Sequence, residues 1–194
     1  MKIFEGSQSQ AGQESFVLNV LNEKREGYYV EIGSFESYVT SNTYLLETNY
    51  DWKGVGLEIL PDPAANYNAN RKNPCMNVDA LTFDYQSYFD EHNFPMQIDY
   101  LQVDIEPPLN TLAALAKVLQ SNRRFSVITF EHDLYAKKEN QAVKDIQKYI
   151  LSQLGYELIV ENVKHVSIEF EDWWVDPKAI PLPLPLLLHL PPAF

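Results

Sequence analysis

Acidic side chains follow five apolar, strand-like runs of this 194-residue chain, one run after another. A single acid at the end of a strand is commonplace as a loop or helix-cap residue, but five in succession indicate the rim of a ligand site. Carboxylates accept hydrogen bonds from hydroxyls and amines and pair with cations. The pattern predicts a ligand with ribose hydroxyls, an exocyclic amine and a cationic centre. The acids are Glu31, Glu58, Asp79, Asp104 with Glu106, and Glu131 with Asp133.

Three positions near these ends could act as a general base, namely Asp104, Glu106 and His132. A base that takes the proton of a hydroxyl acceptor contributes a factor of about 10² to 10⁴ to a rate. The acids on either side of His132 would favour its protonated form if they lie close. A histidine at a strand end can equally be structural, so both interpretations of His132 stay open.

The acids near His132 would also suit a hard divalent cation. Their spacing is not diagnostic of a metal site, and we predict none. The four acids in question are Asp104, Glu106, Glu131 and Asp133.

The elements that must position these residues alternate between strand and helix. Strands are predicted at 28–32, 53–59, 75–78, 100–105, 125–130, 156–163 and 167–175, and helices at 13–24, 41–49 and 62–72 and after the fourth and fifth strands. The last of these helices should bury Val143, Ile146, Ile150 and Leu154. Such alternation predicts an α/β fold with a doubly wound, mostly parallel seven-stranded sheet and helices on both faces. The last two strands are close in sequence and should form an antiparallel hairpin at the sheet edge.

Composition excludes several classes of protein. The chain has 27 acidic against 15 basic residues and a formal charge of −12, which disfavours a nucleic acid partner. Cys75 is the only cysteine, so an intrachain disulfide cannot form. No apolar run is long enough for a signal peptide or a membrane span, so we expect a cytoplasmic protein without a membrane partner. We predict one domain at 1–179 and a proline-rich tail at 180–194, and a homodimer stays open.

Five segments together resemble the FkbM-like methyltransferases, over roughly residues 16–177. The resemblance implies a Rossmann-like, class I enzyme that uses S-adenosylmethionine, with a small-molecule or sugar hydroxyl as the methyl acceptor. The segments are YYVEIGSFESYVTSNTYLLE, WKGVGLEI, NVDALTF, YLQVDIEPP and FSVITFEHD.

The resemblance also implies roles for individual residues. Asp104 and Glu106 would face the transferred methyl group and the acceptor. The cofactor would contact Glu31, Gly33 and Ser34 at its methionine part, Glu58 at its ribose, and Asp79 and Ala80 at its adenine.

One departure from the family lies in the first loop, where Ser37 replaces a second glycine. A side chain in a turn that needs positive φ costs on the order of 1 kcal/mol or more, so Ser37 is expected to weaken cofactor binding. The alternative function is therefore a non-catalytic member of the fold that binds a nucleoside or a partner. A nicotinamide oxidoreductase is disfavoured because the chain lacks the G-x-G-x-x-G turn.

Overall fold

The computed structural model describes residues 1–184, and its framework is a seven-stranded mixed sheet. The strands are β1 (Tyr28–Ile32), β2 (Lys53–Glu58), β3 (Cys75–Asn77), β4 (Gln97–Val103), β5 (Arg124–Glu131), β6 (Glu157–His165) and β7 (Ile168–Val175). The helices are α1 (Gln13–Val20), α2 (Tyr44–Tyr50), α3 (Pro61–Asn70), α4 (Tyr85–Glu91), α5 (Pro108–Val118) and α6 (Asn140–Gln153).

The strand order is β3-β2-β1-β4-β5-β7-β6, with β1 to β5 parallel and β7 antiparallel to both of its neighbours. This confirms the predicted fold class and the terminal hairpin. The order reverses at β1, whose partners are β2 and β4, and ligands of open α/β sheets bind at such a switch point. The carboxyl ends of the five parallel strands therefore meet at one edge.

Successive residues of β1 enter different hydrophobic clusters because side chains alternate along a strand. Val30 and Ile32 belong to the cluster that packs against α4, α5 and α6. Tyr29 belongs to the cluster that includes α1 and α2. Helices therefore cover both faces of the sheet.

The sequence did not predict α4, and it predicted β4 three residues too late. Asp99 interrupts the apolar pattern of β4, yet it is buried and accepts hydrogen bonds from Tyr28 N at 2.9 Å and Lys24 Nζ at 2.7 Å. A strand predicted from apolar residues therefore begins after Asp99, although this paired carboxylate is buried inside β4. The short helix α4 is capped by Asp84, whose side chain accepts a bond from Ser87 N at 3.1 Å.

The predicted buried face of α6 was wrong in part. Ile146 and Leu154 are 46% and 42% exposed, while Lys144 is buried. The Lys144 ammonium reaches inward to Glu161 at 3.0 Å and Asp172 at 3.7 Å. The buried face of α6 therefore includes the polar residues Lys144 and Gln147 beside Val143 and Leu151.

The predicted tail contributes to the core at its start. Ile180 and Leu184 are buried with residues of α1 in the second cluster. The rest of the tail, 185–194, lies outside the described residues. Within residues 1–184, no helix is long and apolar enough to cross a membrane.

Candidate functional site

A cleft of about 660 Å³ opens at the carboxyl ends of β1, β2 and β4. All of the predicted site residues except His132 line it, although they come from separate segments of the chain. The cleft residues among them are Glu31, Gly33, Ser34, Glu58, Asp79, Ala80, Asp104 and Glu106.

His132 lies outside this lining and is fully buried. Its Nδ1 accepts a hydrogen bond from Leu134 N at 3.2 Å, and its Nε2 lies 3.5 Å from Asp172 Oδ1. The side chain therefore packs beside Asp172 of β7 and does not line the cleft. The structure does not bring His132 together with Asp104 and Glu106.

The turn after β1 sits against the end of β4. Gly33 has φ 91°, and its N–H donates to Leu57 O at 2.9 Å. A Cβ on Gly33 would lie 1.7 Å from the carbonyl oxygen of Asp104, so only glycine fits this contact. Ser34 Oγ donates to Glu31 O at 2.9 Å and closes the turn.

The expected strain at Ser37 requires positive φ, and Ser37 does not have it. Among the described residues of this loop after Gly33, the left-handed one is Thr40, at φ 62°. Ser37 Oγ accepts from Asn66 Nδ2 at 3.2 Å, its carbonyl accepts from Arg71 Nη1 at 3.2 Å, and it is outside the cleft lining. Because Ser37 does not have positive φ and does not line the cleft, the expected steric penalty is absent.

Glu31 lies at the floor of the cleft and is almost fully buried. Its carboxylate accepts from Thr43 Oγ1 at 2.7 Å, Asn42 N at 3.3 Å and Tyr67 OH at 3.3 Å. Burial raises the pKa of Glu31, and the charge of Arg71 acts in the opposite direction. These bonds fix the orientation of a carboxylate that lines the cleft.

A buried ion pair supports this floor, and the sequence analysis missed it. Arg71 binds Glu47 Oε2 through Nη2 at 2.9 Å and Nε at 3.0 Å, and both side chains are nearly inaccessible. Arg71 Nη2 also donates to Thr43 Oγ1 at 3.0 Å and Tyr29 OH at 3.3 Å. Burial alone would raise the pKa of Glu47, but Arg71 brings it below its ordinary value. Nothing local marks Arg71, which directly follows α3, as a buried residue.

Glu58 and Asp79 each combine a local hydrogen bond to the backbone two residues later with a place in the cleft. Glu58 Oε1 accepts from Leu60 N at 2.8 Å, and Asp79 Oδ1 accepts from Leu81 N at 2.8 Å. A carboxylate has about four acceptor positions, so one capping bond leaves capacity for ribose or adenine donors. Ala80 follows Asp79 in the lining and adds a small apolar surface.

Four acids meet where β4 and β5 end. Glu131 influences the pKa of Asp104, and Asp133 influences the pKa of Glu106. Burial raises the pKa of Asp104 to about 6, and the charge of Asp133 adds to this. Burial and Asp133 likewise raise the pKa of Glu106 to about 6, and burial with the charge of Asp104 holds the pKa of Glu131 far above its ordinary value. Glu131 therefore favours its protonated form near neutral pH.

Across residues 1–184, no set of three or more histidine, cysteine or carboxylate side chains has a geometry that could hold a metal ion. The cleft does fit the donors of S-adenosylmethionine. Gln102 at its floor is a further feature that the sequence analysis missed, since the buried Oε1 of this residue accepts no hydrogen bond. A ligand amine could donate to that atom, and ribose hydroxyls could donate to Glu58.

Comparison with solved structures finds this fold in methyltransferases of several kinds. The O-methyltransferase from Bacillus cereus in complex with SAH has a TM-score of 0.60 at 15% identity, covering 90% of this chain and 84% of that chain. The N-methyltransferase NodS from Bradyrhizobium japonicum WM9 has a TM-score of 0.54 at 12% identity, with coverages of 85% and 94%. An rRNA methylase from Streptococcus thermophilus has a TM-score of 0.51 at 11% identity, with coverages of 84% and 93%.

No protein-family model and no curated protein matches the sequence. The structural similarity extends over most of each of these methyltransferases despite the low identity. The chain therefore has the Rossmann-like methyltransferase fold, closed by an antiparallel hairpin.

Proposed function

We propose that the protein is an S-adenosylmethionine-dependent methyltransferase that methylates a hydroxyl of a small molecule or sugar. The principal support is the convergence of the predicted site residues in one cleft, at the switch point of a methyltransferase fold. The resemblance to FkbM-like enzymes in the same segments favours oxygen acceptors.

The cofactor would lie along the ends of β1, β2 and β3. Glu58 would accept from both ribose hydroxyls, and Asp79 with Ala80 would flank the adenine. Gly33 and Ser34 would allow the methionine part to approach the backbone, beside the fixed carboxylate of Glu31. When bound, the cofactor supplies a methyl group that is already activated by positive sulfur.

Positioning then provides most of the catalysis, because an in-line displacement needs the acceptor held in a reactive orientation. Asp104 and Glu106 are the candidate bases for the acceptor proton, since both line the cleft. Their pKa of about 6 means that the basic form increases as pH rises through 6. Transfer should therefore be slow below about pH 5 and faster above about pH 7. The burial of His132 leaves it out of this proposal.

A first experiment measures melting temperature with S-adenosylmethionine, S-adenosylhomocysteine or NAD. We expect the first two to raise it and NAD to leave it unchanged, because a ligand that binds the folded state stabilises it. An acceptor screen would then follow release of S-adenosylhomocysteine. Asp104→Asn should bind the cofactor but lose at least about tenfold in rate.

The non-catalytic alternative predicts a different result from the same screen. Cofactor binding with no release above the background of the Asp104→Asn variant, over amines, hydroxyls and sugars alike, would favour it. A stabilising effect of NAD alone would contradict the proposed cofactor and the proposed methyl transfer.

A further inference from the structure

Large apolar side chains are exposed at the edge of the sheet where the cleft opens. Phe35 follows β1, Ile59 and Leu60 follow β2, Leu109 follows β4 and Tyr135 follows β5. They are between 49% and 65% exposed. Because the carboxyl ends of parallel strands share one edge, these five side chains surround the cleft, and we call them the apolar rim.

Three members of the apolar rim belong to the cleft itself. Phe35, Ile59 and Leu60 line it and are also exposed to solvent, so they lie at its mouth. The floor is polar in contrast, since the lining residues Glu31 and Gln102 are nearly inaccessible. The cleft therefore changes from polar at its floor to apolar at its mouth.

The other two members lie close to the candidate bases. Leu109 precedes Asn110, a lining residue whose Nδ2 donates to Glu106 O at 3.4 Å. Tyr135 comes shortly after Glu131, which is the last residue of β5 and part of the lining. This part of the apolar rim therefore adjoins the space assigned to the methyl acceptor.

The proposed cofactor would cover only part of the apolar rim. Ile59 and Leu60 directly follow Glu58, so they belong beside the ribose and the adenine. Leu109 and Tyr135 follow β4 and β5, which lie on the other side of β1 from β2 and β3. These two side chains would stay in water beside a bound cofactor, and grouped exposed apolar side chains mark binding surfaces.

The charge of the cleft restricts what can cover the apolar rim. Seven acids line the cleft, and within residues 1–184 no lysine or arginine does so. A cleft lined by one sign of charge repels ligands of the same sign, which disfavours an anionic lipid or a nucleic acid. Carboxylates accept hydrogen bonds from hydroxyls. The matching ligand has hydroxyls at one end, an apolar body at the other and no negative charge.

We propose that the methyl acceptor is an uncharged amphiphile, with its hydroxyl end in the cleft and its apolar body against Phe35, Leu109 and Tyr135. The inference rests on the proposed function and specifies its substrate class. The hydroxyl end would donate to Asp104 and Glu106, the candidate bases. The apolar body would remove the rim from water, and this burial would provide most of the affinity for the acceptor.

Alkyl glucosides test this class because one sugar head carries chains of increasing length. Methyl, hexyl and octyl glucoside are titrated by calorimetry into the full-length protein, below the concentrations at which they form micelles, with and without saturating S-adenosylhomocysteine. A fully buried CH₂ group strengthens binding about fourfold, so on a half-exposed rim octyl glucoside should bind at least about tenfold tighter than methyl glucoside. The anionic octyl glucuronide should bind at least about tenfold more weakly than octyl glucoside.

A second series places the hydroxyl on an aromatic ring. Phenol, 4-butylphenol and 4-octylphenol are titrated in the same way. We expect binding to strengthen with chain length, by at least about tenfold from the shortest to the longest member, in at least one of the two series.

Matched variants locate the apolar body. Leu109→Ser combined with Tyr135→Ser should weaken the longest probe about tenfold and leave S-adenosylhomocysteine within about twofold. The control is Met96→Ser combined with Tyr149→Ser, which removes exposed apolar side chains before β4 and on α6 and should change probe binding less than about twofold. All four side chains are largely exposed, so both double variants should fold, and their melting temperatures check this.

The outcomes separate the two claims. If S-adenosylhomocysteine does not bind, the proposed function is contradicted, while the titrations without it still test the apolar rim. The amphiphile inference is overturned if binding does not strengthen with chain length, if octyl glucuronide binds as tightly as octyl glucoside, or if the control weakens binding as much as the rim variant. It is also overturned if the protein cosediments with phosphatidylcholine vesicles, or if it is a dimer that the rim variant dissociates, because the rim would then have another occupant.

Discussion

Gly33 and Asp104 are in backbone contact across the switch point of the sheet: a Cβ on Gly33 would lie 1.7 Å from the carbonyl oxygen of Asp104. The contact joins the turn that is proposed to bind the methionine part of the cofactor to the segment that is proposed to face the methyl acceptor. The two halves of the cleft are therefore held at a fixed separation, and a side chain at Gly33 would push them apart.

Gly33→Ala should lower the free energy of unfolding by roughly 2–4 kcal/mol, because φ 91° is strained for alanine and the new carbon would overlap Asp104. Chemical denaturation measures this. The matched control is Gly155→Ala, which has φ 80° but meets no atom within 4 Å and should cost about 1 kcal/mol. Equal losses in the two variants would show that the contact with Asp104 is not tight.

The ion pair of Arg71 with Glu47 should be essential to the floor of the cleft. Arg71→Met leaves the carboxylate of Glu47 buried without its partner, which should cost about 3–5 kcal/mol in urea denaturation. Arg25→Met removes an exposed pair with Asp51 and should change stability by less than about 1 kcal/mol. A similar effect of the two substitutions would contradict the assigned burial of Arg71.

Buried acids should make stability fall as pH rises. Burial raises the pKa of Glu171 to about 8 and that of Glu14 to about 7, so the folded state binds more protons than the unfolded chain between pH 4.5 and those values. The stabilisation that each protonated carboxyl provides is complete at pH values below its pKa in the unfolded chain. It is lost as pH rises towards the pKa of the same group in the folded state, at roughly 1.4 kcal/mol per pH unit for each group.

Glu171→Gln removes one of these titrations, so its stability should decline less steeply between about pH 5 and pH 8. Denaturation at several pH values compares the slopes. The control is Glu169→Gln in the same strand, where a half-exposed carboxylate pairs with Lys164, and its slope should match that of the unmodified protein. An unchanged slope for Glu171→Gln would show that Glu171 is ionised in the fold.

The tail tests the domain boundary. Ending the chain after Ala179 removes Ile180 and Leu184, which are buried, and should cost roughly 2–5 kcal/mol of apolar burial. If the shorter chain melted at the same temperature as the full one, the packing of Ile180 and Leu184 would contribute nothing.

Local pattern predicted the parts of the fold that depend on apolar periodicity. The run from Phe125 to Phe130 is buried on both faces and is central to β5, as its composition indicates. The acids at the cleft were also predictable, because the ends of parallel strands must share an edge.

Long-range polar pairing could not be predicted in this way. Asp99, Lys144 and Arg71 are charged residues that local pattern assigns to the surface, and each is buried with a partner that is distant in sequence. Burying a charged side chain costs free energy of desolvation, and only the folded structure shows which partner of opposite charge offsets that cost. The burial of His132 could not be predicted either, because it depends on β7, a strand that lies about 40 residues later in the chain.

Calorimetric titration with S-adenosylmethionine tests the central claim most directly. We predict saturable binding of the cofactor and of S-adenosylhomocysteine and no binding of NAD. Glu58→Ala should weaken binding about tenfold or more, and Glu58→Gln, which keeps an acceptor for Leu60 N, separates loss of the ribose contact from loss of the cap. Glu36→Ala serves as the control on the same cleft. Absence of binding, or binding by both Glu58 variants as tight as by the unmodified protein, would contradict the proposed cofactor site.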